Sequence, residues 1–366
     1  MRNDKTIRTA HLGIYFVDLE SGEVILNYNE HKLFIPASVM KLFSTLLAWE
    51  VLGEDFKYET KIYIPKGSQP PCVKGDIVIK GSGDPSLNHV VLEKHLVKFK
   101  EDGFQRVEGN LVIDNTAFNK ERWSTRWPWD LNDNPHVDAL IVQNRVHGFN
   151  PYNEDEVALY AGEMVRETLQ RFDIQLQSVK VGRLEPEIFE EFITIRSQPL
   201  KELIRVANKV SHNSYAEQIF RTVGLKLFGI GSNANAVKAL NQLVDKIVGE
   251  DYPRNFADGC GLSMYNLVSP YMTVKLLEYA YKKCGGLNGF ISTLAVAGKD
   301  GTLAKRLAGY QVYGKTGTLA YCASLAGVAI TKFDRKVAFA IFVNNYSGQY
   351  PKDQIDSIVR WVCDNY

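Results

Sequence analysis

The last fifty residues of this chain spell two adjacent β-strands and a closing helix, and the first thirty spell a hairpin. Gln311 to Gly314 lead into KTGTL. SLAGVAITKFDRKVAFAIFVNNY then reads as two strands joined at Phe333-Asp334-Arg335, and Ile355 to Cys363 as an amphipathic helix. At the other end, His11 to Leu19 and Val24 to Tyr28 are β-rich runs around a Glu20-Ser21-Gly22-Glu23 turn. A hairpin and a hairpin-plus-helix can share one antiparallel sheet with helices on its faces. The two ends of the chain are then one body, and what lies between is partly an insertion.

With 366 residues the chain is too long for one hydrophobic core, so two domains are expected. Forty-three basic side chains against forty-two acidic ones leave a net charge of +1, which argues against a nucleic-acid binder or a strongly membrane-attracted surface. No apolar run approaches the roughly 18 to 20 residues of a membrane helix; Val337 to Val343 is among the longest. MRNDKTIRTAH has basic residues without an apolar segment behind them, so no signal peptide is visible. Five scattered cysteines (Cys72, Cys260, Cys284, Cys322, Cys363) show no CxxC spacing, and the seven histidines never form a pattern such as HExxH. Neither a zinc site nor a full disulfide framework is indicated, and the expectation is an enzyme without metal or cofactor, or a binding module.

Between the ends, Pro36 and Gly53 punctuate an apolar helix over Val39 to Leu52. From Tyr58 to Phe118 the chain turns to short strands and Gly/Pro/Asp turns: KIYIP, GDIVIKGSGDPSL, GNLVIDNTAF. A loop with Trp123, Trp127 and Trp129 follows, then a strand-like ALIVQN over Ala139 to Asn144. Helices are predicted over Leu159 to Phe172, Pro199 to Lys209 and Ser214 to Gly224.

Three short elements carry chemistry. Ser38-Val39-Met40-Lys41 opens the apolar helix. A serine hydroxyl is a weak nucleophile and needs an adjacent base; at spacing i, i+3 on a helix the lysine amine reaches it. Alone the spelling is weak, since Ser-x-x-Lys arises by chance roughly once in a chain of this size and an exposed serine and lysine would spell it equally well. Ser211-His212-Asn213 lies between two helices, where a serine and an amide could relay a proton and hold a substrate amide; Ser211 also reads as an ordinary helix N-cap. Lys315-Thr316-Gly317-Thr318 opens a strand. Its lysine and hydroxyls suit a carboxylate, its glycine admits close approach, and the Thr318 N–H can join that of Ser38 as an oxyanion hole; a strand edge with a glycine bulge is the plainer account. Together, in the order helix start, interhelix loop, strand, the three are far less expected than any one alone. They resemble the trio of penicillin-binding proteins and class A β-lactamases, with SHN where SDN is usual.

The chain resembles the class C low-molecular-mass penicillin-binding proteins, the D-alanyl-D-alanine carboxypeptidase/endopeptidase group. FIPASVMKLFSTLLAWEVLG is similar to that family's nucleophile helix, IKGSGDPSL and GNLVIDNTAF to markers of its inserted domain, and RWPWD to its tryptophan turn. VALYAGEMVRETLQRF, SHNSYAEQIFRTVG, DGCGLSMYNLVSP, VAGKDGTLAKR and GKTGTLAYCASLAGV follow in family order, so the likeness covers nearly everything from His11 onward. The resemblance implies an α/β (α+β) fold. A penicillin-binding/β-lactamase-like transpeptidase domain, residues 1–58 and 195–366, would have an antiparallel sheet flanked by helices; residues 59–194 would be an inserted β-rich domain. It implies Ser38 as acylated nucleophile and Lys41 as its base, with Ser211 passing a proton to the leaving amine and Asn213 binding the substrate amide. Lys315, Thr316, Gly317 and Thr318 would hold the terminal carboxylate and carbonyl. The substrates would be D-Ala-D-Ala ends of peptidoglycan stem peptides, β-lactam antibiotics would be covalent inhibitors, and the location would be extracytoplasmic.

The departures are also readable. Only Arg145 to Val157 separate elements between which family members commonly carry a nested third domain, so that domain is expected to be missing. His212 stands where the family usually has Asp, and Cys260 replaces the usual serine of DGCGLS, as a small packed residue. Cys322, four residues past Thr318, is read as packed rather than reactive. The acid that reads an amino-bearing stem-peptide side chain has no single candidate: Asn119 to Asp130 offers Glu121 and Asp130 beside Arg122 and Arg126. A class A β-lactamase would need an ExxLN-like segment, which is absent, and would not tolerate 173 residues between Ser38 and Ser211 against 104 between Ser211 and Lys315. Class C enzymes and related esterases use a tyrosine in the middle element. A peptidoglycan-binding pseudoenzyme would have lost a catalytic side chain, and none is lost here.

Overall fold

The structure, a computed structural model, describes residues 6–121, 127, 135–142 and 155–366. From the N-terminus, β1 (His11–Asp18) and β2 (Val24–Tyr28) form the expected hairpin and a single 3-10 turn over Ala37–Val39 leads into α1 (Met40–Leu52). The chain then makes β3 (Glu59–Pro65), β4 (Cys72–Val73), β5 (Ile77–Lys80), α2 (His89–Leu96), α3 (Lys98–Glu101), β6 (Arg106–Val107), β7 (Leu111–Asp114), α4 (Glu156–Arg171), β8 (Val179–Val181) and β9 (Phe189–Arg196). It returns through α5 (Leu200–Lys209), α6 (Asn213–Phe228), α7 (Asn233–Val248), α8 (Pro270–Lys283) and β10 (Ala295–Val296). It closes on β11 (Gln311–Leu319), β12 (Cys322–Ile330), β13 (Lys336–Asn344) and α9 (Lys352–Asn365).

The two chain ends share one six-stranded sheet in the order β10-β11-β12-β13-β1-β2, every pairing antiparallel. β1 lies against β13 from His11↔Asn344 to Asp18↔Val337, and β11 against β12 from Gln311↔Ile330 to Leu319↔Cys322. Side chains alternate across the sheet. Phe342 and Ala340 therefore join the core with α1 and α8, while Phe339 and Ile341 join Phe16, Val359 and Val362 beneath α9. A second, five-stranded sheet, β8-β7-β5-β3-β9, is assembled from strands between residues 59 and 196 and has its own core around Ile62, Ile79, Ile113, Leu92 and Val165. This sheet is mixed: β5, β7 and β8 pair in parallel, and parallel neighbours need crossovers, which α2 and α4 supply. Among the described residues between 59 and 194, helix is thus as prominent as strand.

Helix α1 explains why the site sits where it does. Met40 to Trp49 are all buried, so the helix is apolar nearly all round and runs through the interior rather than along a face. A helix of that kind has no place for an unpartnered ammonium. Lys41, Ser44 and Thr45 are its buried polar members and each is hydrogen-bonded. Ser44 Oγ donates to the Gly259 carbonyl at 2.7 Å, and Thr45 Oγ1 to the Lys41 carbonyl at 2.5 Å.

Two local expectations fail. Ala139 to Val142 belong to no strand, although all four are buried; the last two residues of ALIVQN lie outside the described residues, as do Trp123, Trp129, Arg122, Arg126 and Asp130. A short apolar run does not distinguish a strand from a buried loop, and here Gln218 Nε2 donates to the Asp138 carbonyl, and the Gly83 N–H to that of Ala139, in place of a ladder. Most of Arg145 to Val157, where the nested third domain is expected to be missing, also lies outside the described residues. Nor is Ser211 an N-cap: α6 begins at Asn213, its cap position is His212, and no side chain caps it.

Candidate active site

The loop that carries Ser38 is fixed before the residue is reached. At its start, the Asn344 side chain at the end of β13 accepts from the Ile35 N–H at 2.8 Å and donates to the Ile35 carbonyl at 3.1 Å. One residue on, Ser324 Oγ of β12 donates to the Pro36 carbonyl at 2.7 Å. Ala37 adopts φ +48°, a conformation disfavoured for a side-chain-bearing residue, and this turns Ser38 toward β11 at the head of the buried helix. Two glycines permit the approach of neighbouring backbone. A Cβ at Gly317 would stand 2.5 Å from the Pro36 carbonyl oxygen and 3.1 Å from the Ser38 nitrogen; one at Gly261, where φ is +85°, would stand 2.0 Å from the Ala37 carbonyl oxygen.

Ser38, Lys41 and Asn213 then meet as the spelling suggests. Lys41 Nζ reaches Ser38 Oγ at 2.9 Å, Asn213 Oδ1 at 2.7 Å and the Cys260 carbonyl at 2.7 Å. The lysine has no solvent exposure. Burial lowers its pKa from the ordinary lysine value, with the carboxylates of Asp258 and Glu217 pulling the other way. A neutral amine within hydrogen-bond reach of a hydroxyl is what proton abstraction needs. Across the cleft Lys315, equally buried, donates to Ser211 Oγ at 2.8 Å and to the Thr316 carbonyl at 2.7 Å. Its pKa lies well below the ordinary value, first through desolvation and then through repulsion from Lys41. Ser211 holds φ +62°, so the residue between α5 and α6 is kept in a sparsely populated conformation that aims its hydroxyl at Lys315.

On β11, Thr318 is exposed and its Oγ1 lies 3.2 Å from the Tyr350 hydroxyl, while Thr316 Oγ1 lies 2.8 Å from Thr302 Oγ1. Neither Thr302 nor Tyr350 stands out in the sequence. β10 covers only Tyr313 and Gly314, so among the described residues no strand pairs with the outer edge of β11 from Lys315 to Leu319. Cys322 is buried on β12 and burial pushes its thiol up to about 11; all five cysteines are buried free thiols. A cavity of about 850 Å³ lies elsewhere, at the far ends of α1 and α6 among Leu52, Tyr58, Lys80 and Lys226, and holds none of the predicted site residues.

A serine paired with a buried lysine, facing a second buried lysine on a strand edge, defines the class: a serine–lysine acyl-transfer site on an α/β body. The sequence model of the D-Ala-D-Ala carboxypeptidase 3 (S13) family matches residues 1–153 and 152–365, and the chain belongs to that family of serine peptidases. Its relatives include the D-alanyl-D-alanine carboxypeptidase DacB of Haemophilus influenzae, 24% identical over 92% of this chain and 86% of that protein. The D-alanyl-D-alanine carboxypeptidase of Actinomadura sp. (strain R39) is also 24% identical, over 97% and 81%. The crystal structure of penicillin binding protein 4 (dacB) from Haemophilus influenzae shares the fold, with a TM-score of 0.84 and 22% identity over 94% of this chain and 93% of that one. That protein has also been solved in complex with a β-lactam.

Proposed function

We propose that the protein is a D-alanyl-D-alanine carboxypeptidase, with DD-endopeptidase action on the same bond type, working through an acyl-enzyme at Ser38. The observation that carries the reading is the Lys41 amine, fully buried and 2.9 Å from Ser38 Oγ. A D-Ala-D-Ala stem peptide lies along the open edge of β11, its amide held by Asn213 and its terminal carboxylate by Lys315, Thr316 and Thr318. Lys41 takes the Ser38 proton as Oγ bonds to the penultimate carbonyl carbon. The N–H groups of Ser38 and Thr318 receive the oxyanion, with Gly317 allowing the two segments to come close. Collapse breaks the C–N bond as the proton Lys41 took passes through Ser211, itself held by Lys315, to the leaving amine. Water then adds to the acyl carbon and Ser38 is released with its proton restored.

A β-lactam presents the same carbonyl and carboxylate and stays attached after its ring opens, so these antibiotics are covalent inhibitors of this chain in the present reading. The pairing of residues 1–58 with 195–366 as the catalytic unit, and of 59–194 as the insertion that contacts the stem peptide, belongs to the same proposal. So does an extracytoplasmic site of action on the cell wall; among the described residues no helix is long and apolar enough to cross a membrane. Release of D-alanine from a pentapeptide stem, lost in Ser38→Ala, tests the activity, and a purified chain that binds penicillin at Ser38 yet releases no D-alanine would contradict it.

A further inference from the structure

We propose that Glu217 is the positioning residue for the general base. Its carboxylate holds the 258–263 turn so that the Cys260 carbonyl and the nucleophile loop keep Lys41 and Ser38 in register. The inference rests on the acyl-transfer reading of Ser38 and Lys41 and concerns a buried carboxylate to which that reading gives no role.

Glu217 lies on α6, one turn after Asn213, without solvent exposure. Its Oε1 accepts the N–H groups of Gly259 and Cys260, both at 2.7 Å. The peptide that follows presents the Cys260 carbonyl to Lys41 Nζ. The same turn is gripped from its other side by Asp258. Asp258 accepts from the N–H groups of Gly261 and Ser263 at 2.7 Å, from Asn266 Nδ2 at 2.7 Å and from Trp127 Nε1 at 2.8 Å. Ser44 of α1, one turn past Lys41, donates to the Gly259 carbonyl. Gly261 in turn lies against the Ala37 carbonyl with no room for a Cβ. A displacement of this turn therefore reaches both partners of the proton transfer, Lys41 through a hydrogen bond and Ser38 through direct contact at Ala37.

The same atoms explain why the cluster is not read as a cation site, although ligand atoms of Glu217, Asp258 and Cys260 lie within 4.8 Å of one another. Both Asp258 oxygens and Glu217 Oε1 already accept N–H donors. Only Glu217 Oε2 is without a hydrogen bond, and the charge nearby is the buried Arg221 guanidinium, whose Nε and Nη2 are likewise without one. Burying two carboxylates beside one guanidinium and a lysine is costly, and burial with the nearby Asp258 charge pushes the Glu217 carboxyl up to about 7. What the expense secures is a fixed acceptor for two backbone N–H groups, and a carboxyl oxygen accepts them in either protonation state.

The test separates positioning from folding. Wild type, Glu217→Ala, Glu217→Gln and Ser44→Ala are compared for thermal unfolding and for benzylpenicillin acylation, with the noncovalent binding constant resolved from the rate of the covalent step. Misplacing a base by about 1 Å costs on the order of 100-fold. Glu217→Ala is expected to lose about that in the covalent step with noncovalent binding little changed. Glu217→Gln, which keeps an oxygen acceptor, recovers the rate to within about 3-fold of wild type, and Ser44→Ala loses a few-fold in the same step. A folded Glu217→Ala that acylates like wild type, or a loss confined to noncovalent binding, overturns the proposal. So does a loss in Glu217→Gln as large as that in Glu217→Ala. If Glu217→Ala does not fold, Ser44→Ala decides: an unchanged covalent step overturns it. A wild-type chain that penicillin never acylates defeats the Ser38 reading instead, a separate result.

Discussion

Gly317→Ala puts the closeness of the two catalytic segments to a quantitative test. The glycine is not required by its backbone angle, because its φ is not among the positive ones. It is required by space. A Cβ there would meet Ser324 Oγ at 2.2 Å, the Pro36 carbonyl oxygen at 2.5 Å and the Ser38 nitrogen at 3.1 Å. Ordinary van der Waals contact begins near 3.4 Å, so the Pro36 carbonyl must retreat by 3.4 − 2.5 = 0.9 Å, and that residue lies two before Ser38. Overpacking of this kind costs about 1–3 kcal/mol of stability. A shift of nearly 1 Å in the reacting geometry costs about 100-fold in rate. The assay is the second-order rate of benzylpenicillin acylation, with the unfolding temperature measured alongside. Adding Ser324→Ala removes the 2.2 Å clash but leaves Pro36, so the double variant regains little. Acylation of Gly317→Ala within about 3-fold of wild type would refute the reasoning that this glycine sets the separation of β11 from the nucleophile loop.

Three further outcomes are expected. Acylation requires neutral Lys41, whose pKa burial lowers, so the rate falls as pH drops through that depressed value. The acid limb of the profile then lies below the ordinary lysine pKa of about 10.4, and a limb at or above it contradicts the buried base. Lys315→Gln removes the amine that donates to Ser211 and, in the proposed reading, meets the substrate carboxylate, and acylation should drop about 10²- to 10³-fold without loss of folding; a change under about 5-fold contradicts that role. Asp18, in the first hairpin, is held down to about 2 against its desolvation by N–H groups of Ser21 and Glu20 and by Arg335. A lowered folded-state value gives stability that is present above the unfolded carboxylate pKa of about 3.9 and is lost as pH falls toward 2. Asp18→Asn should therefore lose about 2 kcal/mol at pH 7 and almost nothing at pH 2, read from denaturant unfolding at the two pH values; an equal loss at both contradicts the linkage.

Legibility in the sequence followed the range of the interaction. Ser38 and Lys41 are three residues apart on a helix, so their contact is local geometry and could be read directly. The shared sheet of the two chain ends was legible because β1, β12 and β13 are long and apolar, and turn residues mark where they stop. Lys315 with Ser211, 104 residues apart, was reachable only through family likeness, since no periodicity encodes a contact across the cleft. Helices α7 and α8 escaped the residue-level reading although Ser232 and Ser269 cap them and Pro270 opens the second. Ser211 has the composition of a cap and the conformation of something else, a positive φ that accompanies its contact with Lys315. Glu217 spells an ordinary helical glutamate; only its burial against the 259–260 peptides sets it apart.

The most direct test of the central claim is an intact-mass time course of the purified chain with benzylpenicillin, run beside Ser38→Ala. A one-to-one adduct that lasts for many minutes in the wild type and is absent from the variant is the predicted result. Rapid loss of the adduct with steady consumption of penicillin would make the protein a β-lactamase, and no adduct at all would contradict Ser38 as an activated nucleophile.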